Sequence, residues 1–160
     1  MSIALRNGYK SFLKLEKSLS NNSIDGYLRD LDKLYQFAAS LKNTKSPKDF
    51  KLDDLQKFVH WISDLGMSSK SQARVVSGIK GFYKFLLIEE YINSDPSKLL
   101  ETPKTGRKLP DTLSLEEIDT IISAIDLSSN EGQRNKAILE TLYSCGLRVS
   151  ELINLKITNL

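Results

Sequence analysis

The feature that most constrains the fold of this chain is the spacing of its apolar residues. Nearly every apolar cluster recurs at intervals of three or four residues, and no segment sustains an alternation of apolar and polar residues. The first spacing places side chains on one face of an α-helix, whereas alternation is typical of a half-buried strand. The sequence therefore predicts an all-α protein.

Four helices are predicted in the first hundred residues. The first runs from about Ile3 to Leu19, the second lies within residues 21–41, and the third and fourth run from about Asp53 to Leu65 and from Ser69 to Glu90. Ser23 is a candidate N-cap of the second helix, and Gly66 suits a left-handed cap after the third. Each helix has an apolar stripe, so together they predict a small four-helix bundle.

The helical pattern stops after about residue 100. The next segment contains Pro103, Pro110 and Gly106 together with several charged residues, which is typical of a linker. We therefore expect a first domain over residues 1–100, a linker over residues 101–112 and a second, mainly helical part over residues 113–160.

The second part shows its own helix signals. Ser114 and Glu117 have the spacing of a capping box before an apolar run. A further helix is predicted near Arg134 to Cys145, where Gly146 can cap it, and Arg148 begins another turn of helix. About 50 residues with apolar helix faces are near the size at which a lone core becomes marginal.

The composition excludes several classes of protein. The 40% apolar and 27% charged residues are ordinary for a globular protein. No apolar run approaches the roughly 20 residues of a membrane span. The single cysteine, Cys145, cannot form an intrachain disulfide, so a reducing cytoplasm is the expected location. With one cysteine and one histidine the chain cannot build a zinc site, and it has no phosphate-binding glycine loop, so we expect neither metal nor cofactor.

The net charge of +3 is unevenly distributed along the chain. Residues 1–104 contain 17 basic and 12 acidic residues, a net charge of +5, whereas residues 105–160 carry −2. A basic first part favours a polyanionic partner such as nucleic acid, although many proteins without such a partner carry a similar charge.

The fourth predicted helix has a cationic face opposite its apolar one. At about 100° per residue, one stripe contains Lys70, Arg74, Ser77, Gly81 and Lys84. A helix that enters the major groove of DNA needs cations and a close backbone approach. Glycine within a helix costs about 1 kcal/mol relative to alanine, so Gly78 and Gly81 suggest a compensating need. A solvated face, or glycines that admit a neighbouring helix, is the alternative.

The second predicted helix carries a weaker polar strip. Arg29 lies on it with Lys33 and Gln36, but Asp25 and Asp30 dilute its positive charge. Pairing of Asp25 with Arg29 one turn later explains much of this pattern without a ligand.

Arg148 lies between two apolar residues at a predicted helix start, in the segment CGLRVSEL. The start of a helix carries partial positive charge and unpaired N–H groups, so a cation is unfavourable there unless an anion binds. The N–H groups and a guanidinium together suit a phosphate. A salt bridge to Glu151, three residues on, is the alternative that the spacing alone favours.

Residues 134–160 closely resemble the tyrosine recombinase (phage integrase) family, in particular its Xer-like branch. In that family a G-L-R-[VI]-S-E-L stretch carries the first catalytic arginine, which matches Arg148 here. The resemblance extends back through residues 23–37, with a Tyr-x-x-Asp-Leu pattern, and residues 71–86, with an Arg-x-x-Ser-x-[IVL]-[RK] pattern. The segment DPSKLLETPK matches the family's exit into its linker.

The resemblance implies a fold and a function. The first part would be a SAM-like, four-helix core-binding domain on one face of duplex DNA, and the second would begin the catalytic domain. In the complete enzyme, a homo- or hetero-tetramer on nucleoid DNA, strands are exchanged through a 3′-phosphotyrosine without metal or nucleotide. Arg148 would hold the scissile phosphate.

Together the resemblance and the charge pattern give a set of candidate DNA contacts. They are serines and cations of the second and fourth helices, followed by cations of the linker: Ser23, Arg29, Lys70, Ser71, Arg74, Ser77, Lys80, Lys84, Lys104, Arg107 and Lys108.

The family's other catalytic groups follow the arginine motif: a hairpin lysine, a His-x-x-Arg motif and a late tyrosine. All six tyrosines of this chain precede Arg148, and His60 is followed by Ser63 where that motif needs arginine. We therefore expect an N-terminal part of a recombinase that does not cleave DNA alone. A non-catalytic helical interaction module, or a decoy that occupies recombination sites, is the alternative.

Overall fold

The computed structural model describes residues 3–41, 45–104, 106, 111–156 and 158. The chain divides into two compact units, Met1–Arg107 and Lys108–Leu160. Every regular element in the described ranges is helical, which confirms the all-α prediction. None of the helices in these ranges combines the length and the hydropathy of a membrane-spanning segment.

Among the described residues, the first unit contains four α-helices and a 3-10 helix over Pro47–Asp49, and the second contains three α-helices. In chain order they are α1 (Ile3–Leu15), α2 (Asn21–Ser40), α3 (Leu52–Asp64), α4 (Ser69–Ile88), α5 (Leu115–Ser123), α6 (Asn130–Cys145) and α7 (Val149–Ile153).

The core of the first unit is formed by the predicted apolar stripes, and α2 and α4 make its most extensive helix contact. Tyr9, Phe82 and Phe85 form an aromatic cluster between α1 and α4, with 5.3 Å between the ring centroids of Tyr9 and Phe82. Tyr83 is fully buried, and its hydroxyl donates to the Pro47 carbonyl at 2.7 Å. Each buried Leu, Ile or Phe contributes roughly 1.5–3 kcal/mol, so the four-helix bundle rests mainly on apolar burial.

Two helix ends of the first unit differ from the sequence prediction. The N-cap of α2 is Ser20 rather than Ser23, and the Ser20 hydroxyl accepts a hydrogen bond from the Ser23 N–H at 3.4 Å. The prediction was wrong because the segment SNNS offers four capping residues, and the helix begins at the earliest of them. α1 ends before Leu19 because Ser18 is left-handed, with φ 49°. The left-handed Gly66 after α3, with φ 77°, confirms its predicted cap.

The second unit has well-defined helix ends. Ser114 and Glu117 form the predicted capping box: the Ser114 N–H donates to Glu117 at 2.7 Å and the Glu117 N–H to Ser114 at 3.2 Å. Gly146 is left-handed, with φ 62°, as predicted. α6 begins at Asn130, earlier than expected, because Ser129 caps it by accepting from the Gly132 N–H.

The apolar faces of the second unit stay largely open. Of its described residues, only Gly132 is buried. Val149 and Ile153 of α7 are 65% and 74% exposed. Unlike the first unit, these helices do not enclose a core among themselves.

Asp54 stabilises the start of α3, and the pH dependence of this stabilisation can be measured. Its carboxylate accepts from the Lys51 N–H at 2.9 Å and from Lys45 at 3.3 Å, and the Lys51 hydrogen bond is the main cause of its lowered pKa. A lowered carboxyl pKa stabilises the fold above the unfolded-state pKa, and the effect is lost as pH falls through the folded-state value. Asp54→Ala should therefore lower the free energy of unfolding by about 1 kcal/mol at neutral pH, with the loss shrinking at about pH 3.

Urea unfolding at both pH values measures this difference. Asp53→Ala is the matched control, because the exposed ion pair of Asp53 with Lys57 should contribute at most about 0.5 kcal/mol. An equal loss for Asp54→Ala at both pH values would contradict the assignment.

Candidate nucleic-acid interface

The candidate interface is organised by an ion pair between α2 and α4. Asp30 of α2 is 1% exposed. Arg74 of α4 donates to both its carboxylate oxygens, from Nη2 to Oδ1 at 2.6 Å and from Nη1 to Oδ2 at 2.8 Å. The Arg74 side chain remains 57% exposed. The carboxylate is thus enclosed by the bundle, while the guanidinium that neutralises it reaches the surface.

Burial and pairing act in opposite directions on Asp30. Burial raises the pKa of the Asp30 carboxyl, and the hydrogen bonds and positive charge of Arg74 partly offset the rise. Removing one partner of a buried pair leaves an uncompensated charge and is strongly destabilising. The Asp30–Arg74 ion pair therefore holds α2 and α4 together at this point, because the buried carboxylate needs a cationic partner.

Gly78 lets α4 approach this carboxylate. A Cβ at position 78 would lie 2.7 Å from Asp30 Oδ2, closer than such contacts occur. At Gly81 a Cβ would lie 3.4 Å from the Tyr9 hydroxyl and 3.7 Å from the Tyr27 ring. Gly78 is thus explained by the neighbouring helix, which was the alternative to a close approach of DNA, whereas a Cβ at position 81 would make only ordinary contacts.

A surface cleft of about 530 Å³ lies between α2 and α4 around the ion pair. It brings together four predicted DNA contacts from two segments of the chain: Ser23, Arg29, Arg74 and Ser77. The cleft is also lined by residues that the sequence prediction missed: Asn22, Gly26, Tyr27, Asp30 and Gly78. Tyr27 and Asp30 belong to the Tyr-x-x-Asp-Leu pattern, so this motif could have indicated that both residues lie at the site. The charge pattern alone shows Asp30 only as a negative charge within the polar strip of α2.

The other predicted contacts of α4 lie outside this cleft. Lys70, Ser71 and Lys84 are exposed and Lys80 is half-buried. The N–H of Ser71 donates to the hydroxyl of Ser68, the N-cap of α4, at 3.3 Å. The cationic face of α4 is therefore at the surface.

The three linker cations can be placed only in part. Lys104 is exposed. Arg107 and Lys108 lie outside the described residues, so their predicted role stays a prediction.

Arg148 is the N-cap residue of α7 in the second unit, with φ −78° and ψ 154°. The Glu151 carboxylate accepts from the Arg148 N–H at 2.8 Å and from Nη1 at 3.0 Å, and the side chain of Arg148 is 82% exposed. The hydrogen bond from the Arg148 N–H lowers the pKa of Glu151. The predicted alternative, an ion pair with Glu151, is thus present. It uses one of five guanidinium donors, and phosphate binding by Arg148 stays a prediction.

No cluster that would suit a metal ion occurs among the residues described. Groups of three or more His, Cys, Asp or Glu side chains in ligand geometry are absent from those ranges. The exposed polar groups of the cleft and of the neighbouring face of α4 include guanidinium, ammonium and hydroxyl donors, the groups that contact phosphate oxygens.

The α2–α4 face thus combines a helical fold with guanidinium, ammonium and hydroxyl donors at its surface. Residues 7–90 match the phage integrase N-terminal SAM-like domain, and residues 111–160 match the phage integrase family. The chain belongs to the phage integrase family of tyrosine recombinases, with the N-terminal SAM-like domain followed by the start of the catalytic domain. The resemblance inferred from the sequence motifs is confirmed.

Relatives in this family are Xer-type enzymes. The chain is 42% identical over 151 residues to tyrosine recombinase XerD of Staphylococcus epidermidis, covering 93% of this chain and 50% of that protein. It is 40% identical over 149 residues to XerD of Oceanobacillus iheyensis, with the same two shares. The chain therefore spans about half the length of the curated relatives it matches.

A solved structure supports the fold. The crystal structure of XerA recombinase matches the whole of this chain and 52% of its own, with a TM-score of 0.51 and 24% sequence identity. At that identity the likeness concerns the fold alone.

The close approach at Gly78 gives a stability test. Gly78→Ala should lower the free energy of unfolding by about 2 kcal/mol, because overpacking against Asp30 costs more than the gain in helix propensity of about 1 kcal/mol. Gly26→Ala is the control, because its Cβ would lie 3.8 Å from Arg74 Nη1, an ordinary contact, and should stabilise α2. Urea unfolding measures both, and a Gly78→Ala variant as stable as the unmodified chain would contradict this packing.

Proposed function

We propose that this chain binds duplex DNA through the α2–α4 cleft, as the DNA-binding half of a site-specific tyrosine recombinase. The observation that carries the proposal is the meeting of Ser23, Arg29, Arg74 and Ser77 in one cleft. Hydroxyl and guanidinium donors contact phosphate oxygens and fix the register of a protein on a duplex. The exposed Lys70 and Lys84 extend this cationic face along α4.

The domain organisation forms part of the proposal. Residues 1–100 are the core-binding domain, residues 101–112 the linker and residues 113–160 the N-terminal part of the catalytic domain. Lys104, Arg107 and Lys108 of the linker contact the DNA backbone. The complete enzyme acts as a homo- or hetero-tetramer on DNA, and these 160 residues alone bind DNA without cleaving it.

Arg148 has the proposed catalytic role. In the complete enzyme its guanidinium binds the scissile phosphate and stabilises the negative charge that builds on the phosphate oxygens during transesterification. Its place in the G-L-R-V-S-E-L segment and its position as N-cap of α7 support this role. Glu151 accepts the Arg148 N–H and orients the helix start, while most donors of the guanidinium stay available.

Salt dependence tests the DNA-binding proposal. Anisotropy of a fluorescein-labelled duplex of about 30 base pairs should show log affinity falling linearly with log salt, with a slope near −0.9 for each phosphate neutralised. Lys70→Ala should weaken binding and reduce that slope by about 0.9. Lys57→Ala on α3, an exposed lysine paired with Asp53, is the control and should change neither. Absent or salt-insensitive binding at about 50 mM salt would contradict the proposal.

The role of Arg148 has its own binding test. If its guanidinium binds a phosphate, Arg148→Ala should lower the affinity for duplex and reduce the salt slope by about 0.9. Arg134→Ala is the control within the same unit, because Arg134 is exposed on α6 and donates a hydrogen bond to the neighbouring Asn135. Equal slopes for Arg148→Ala and the unmodified chain would contradict a phosphate contact.

A second candidate function is suggested by the second unit. An apolar groove of about 310 Å³ lies between α5 and α6, lined by Leu113, Ile118, Ile121, Ile122, Leu139, Leu142 and Tyr143. Exposed apolar surface of this kind marks interaction sites, so a helical interaction module, or a decoy that occupies recombination sites, is the alternative. A tight dimer in light scattering that duplex DNA does not alter would favour the interaction module.

A further inference from the structure

The Asp30–Arg74 ion pair connects the two family motifs of the first unit. Asp30 belongs to the Tyr-x-x-Asp-Leu pattern of α2, and Arg74 opens the Arg-x-x-Ser-x-Ile-Lys segment of α4. The two residues are 44 positions apart in sequence and make two hydrogen bonds to each other. The pairing therefore joins segments whose patterns, taken separately, do not indicate a partner.

The carboxylate of Asp30 is held in a fixed position. It is 1% exposed, and the Cα of Gly78 passes so close that a Cβ there would lie 2.7 Å from Oδ2 and 3.3 Å from the Asp30 Cβ. A carboxylate enclosed in this way cannot turn towards solvent. Its two oxygens therefore define where the planar guanidinium fork of Arg74 must lie.

Arg74 retains N–H donors for a ligand while its guanidinium is paired with Asp30. Two of its five N–H groups bond to Asp30, which leaves three for other acceptors. The side chain is 57% exposed and lines the cleft beside Ser77, one helical turn further along α4. A cation used only to neutralise Asp30 would not need this exposure.

We infer that Asp30 is a positioning residue for DNA binding, which fixes the Arg74 guanidinium at the α2–α4 cleft so that its remaining donors meet a DNA phosphate. The inference rests on the proposed function, since it explains how one side chain of that site is positioned before DNA binds. Asp30 acts through Arg74 and does not itself touch DNA.

Positioning and simple electrostatics predict opposite effects for Asp30→Asn. The substitution adds one positive charge to the protein, which by charge alone tightens binding to a polyanion. If Asp30 positions Arg74, the freed arginine must instead be ordered during binding, which corresponds to a loss of about twofold to tenfold in affinity. The sign of the change therefore separates the two effects.

The test measures anisotropy of a labelled duplex of about 30 base pairs with the 160-residue chain and its variants. For Asp30→Asn we expect affinity lower by about twofold to tenfold, with an unchanged salt slope because the charge of Arg74 remains. Affinity equal to or higher than that of the unmodified chain would overturn the inference.

Arg74→Lys provides a second, independent variant. Lysine keeps the charge but cannot form the two-pronged contact with Asp30, so a similar loss is expected. The double variant should bind no more weakly than either single variant, because both remove the same arrangement. Additive losses would overturn the inference.

Urea unfolding of each variant separates positioning from loss of fold. If Asp30→Asn does not unfold cooperatively, the Arg74→Lys variant tests the inference instead, because it changes an exposed side chain. An affinity of Arg74→Lys equal to that of the unmodified chain would then overturn the inference. An unmodified chain that does not bind duplex contradicts the proposed function and the inference with it. If the unmodified chain binds duplex and the variants bind it equally well, the inference is overturned but the proposed function is not.

Discussion

The arrangement of the first unit depends on one buried carboxylate. Asp30 cannot stay charged inside the bundle without a partner, because the cost of desolvating an isolated ion is several kcal/mol. Arg74 supplies that partner from α4 through two hydrogen bonds. The requirement fixes how α2 and α4 meet, and it demands a residue without a side chain at Gly78, where any Cβ would collide with the carboxylate.

The same helix contact that closes the core also forms the candidate site. α4 turns Val76, Ile79 and Phe82 inwards, and its opposite side presents Lys70 and Ser77 to solvent. A period of 3.6 residues lets one helix serve both purposes, because side chains one turn apart share a face. Since α2 packs beside α4, donors from two segments reach the same cleft without a loop to hold them.

Features governed by local sequence were predictable, and those governed by distant pairing were not. Periodicity predicted the helices and the apolar stripe of α4, and glycines at the helix ends predicted the left-handed caps at positions 66 and 146, because each feature depends on a few neighbouring residues. The pairing of Asp30 with Arg74 depends on a contact 44 residues apart, so Asp30 was interpreted as a dilution of charge. The exact start of α2 was missed because Ser20 and Ser23 are equally good caps by composition.

The most direct measurement of the central claim is a map of the surface that duplex DNA contacts. Titrating a duplex into the ¹⁵N-labelled chain and following amide chemical shifts provides it. DNA binding at the α2–α4 cleft predicts the largest changes around Ser23, Arg74 and Ser77, with little change on the exposed face of α3 around Gln56 and His60. Changes centred on α3, with the cleft unperturbed, would contradict it.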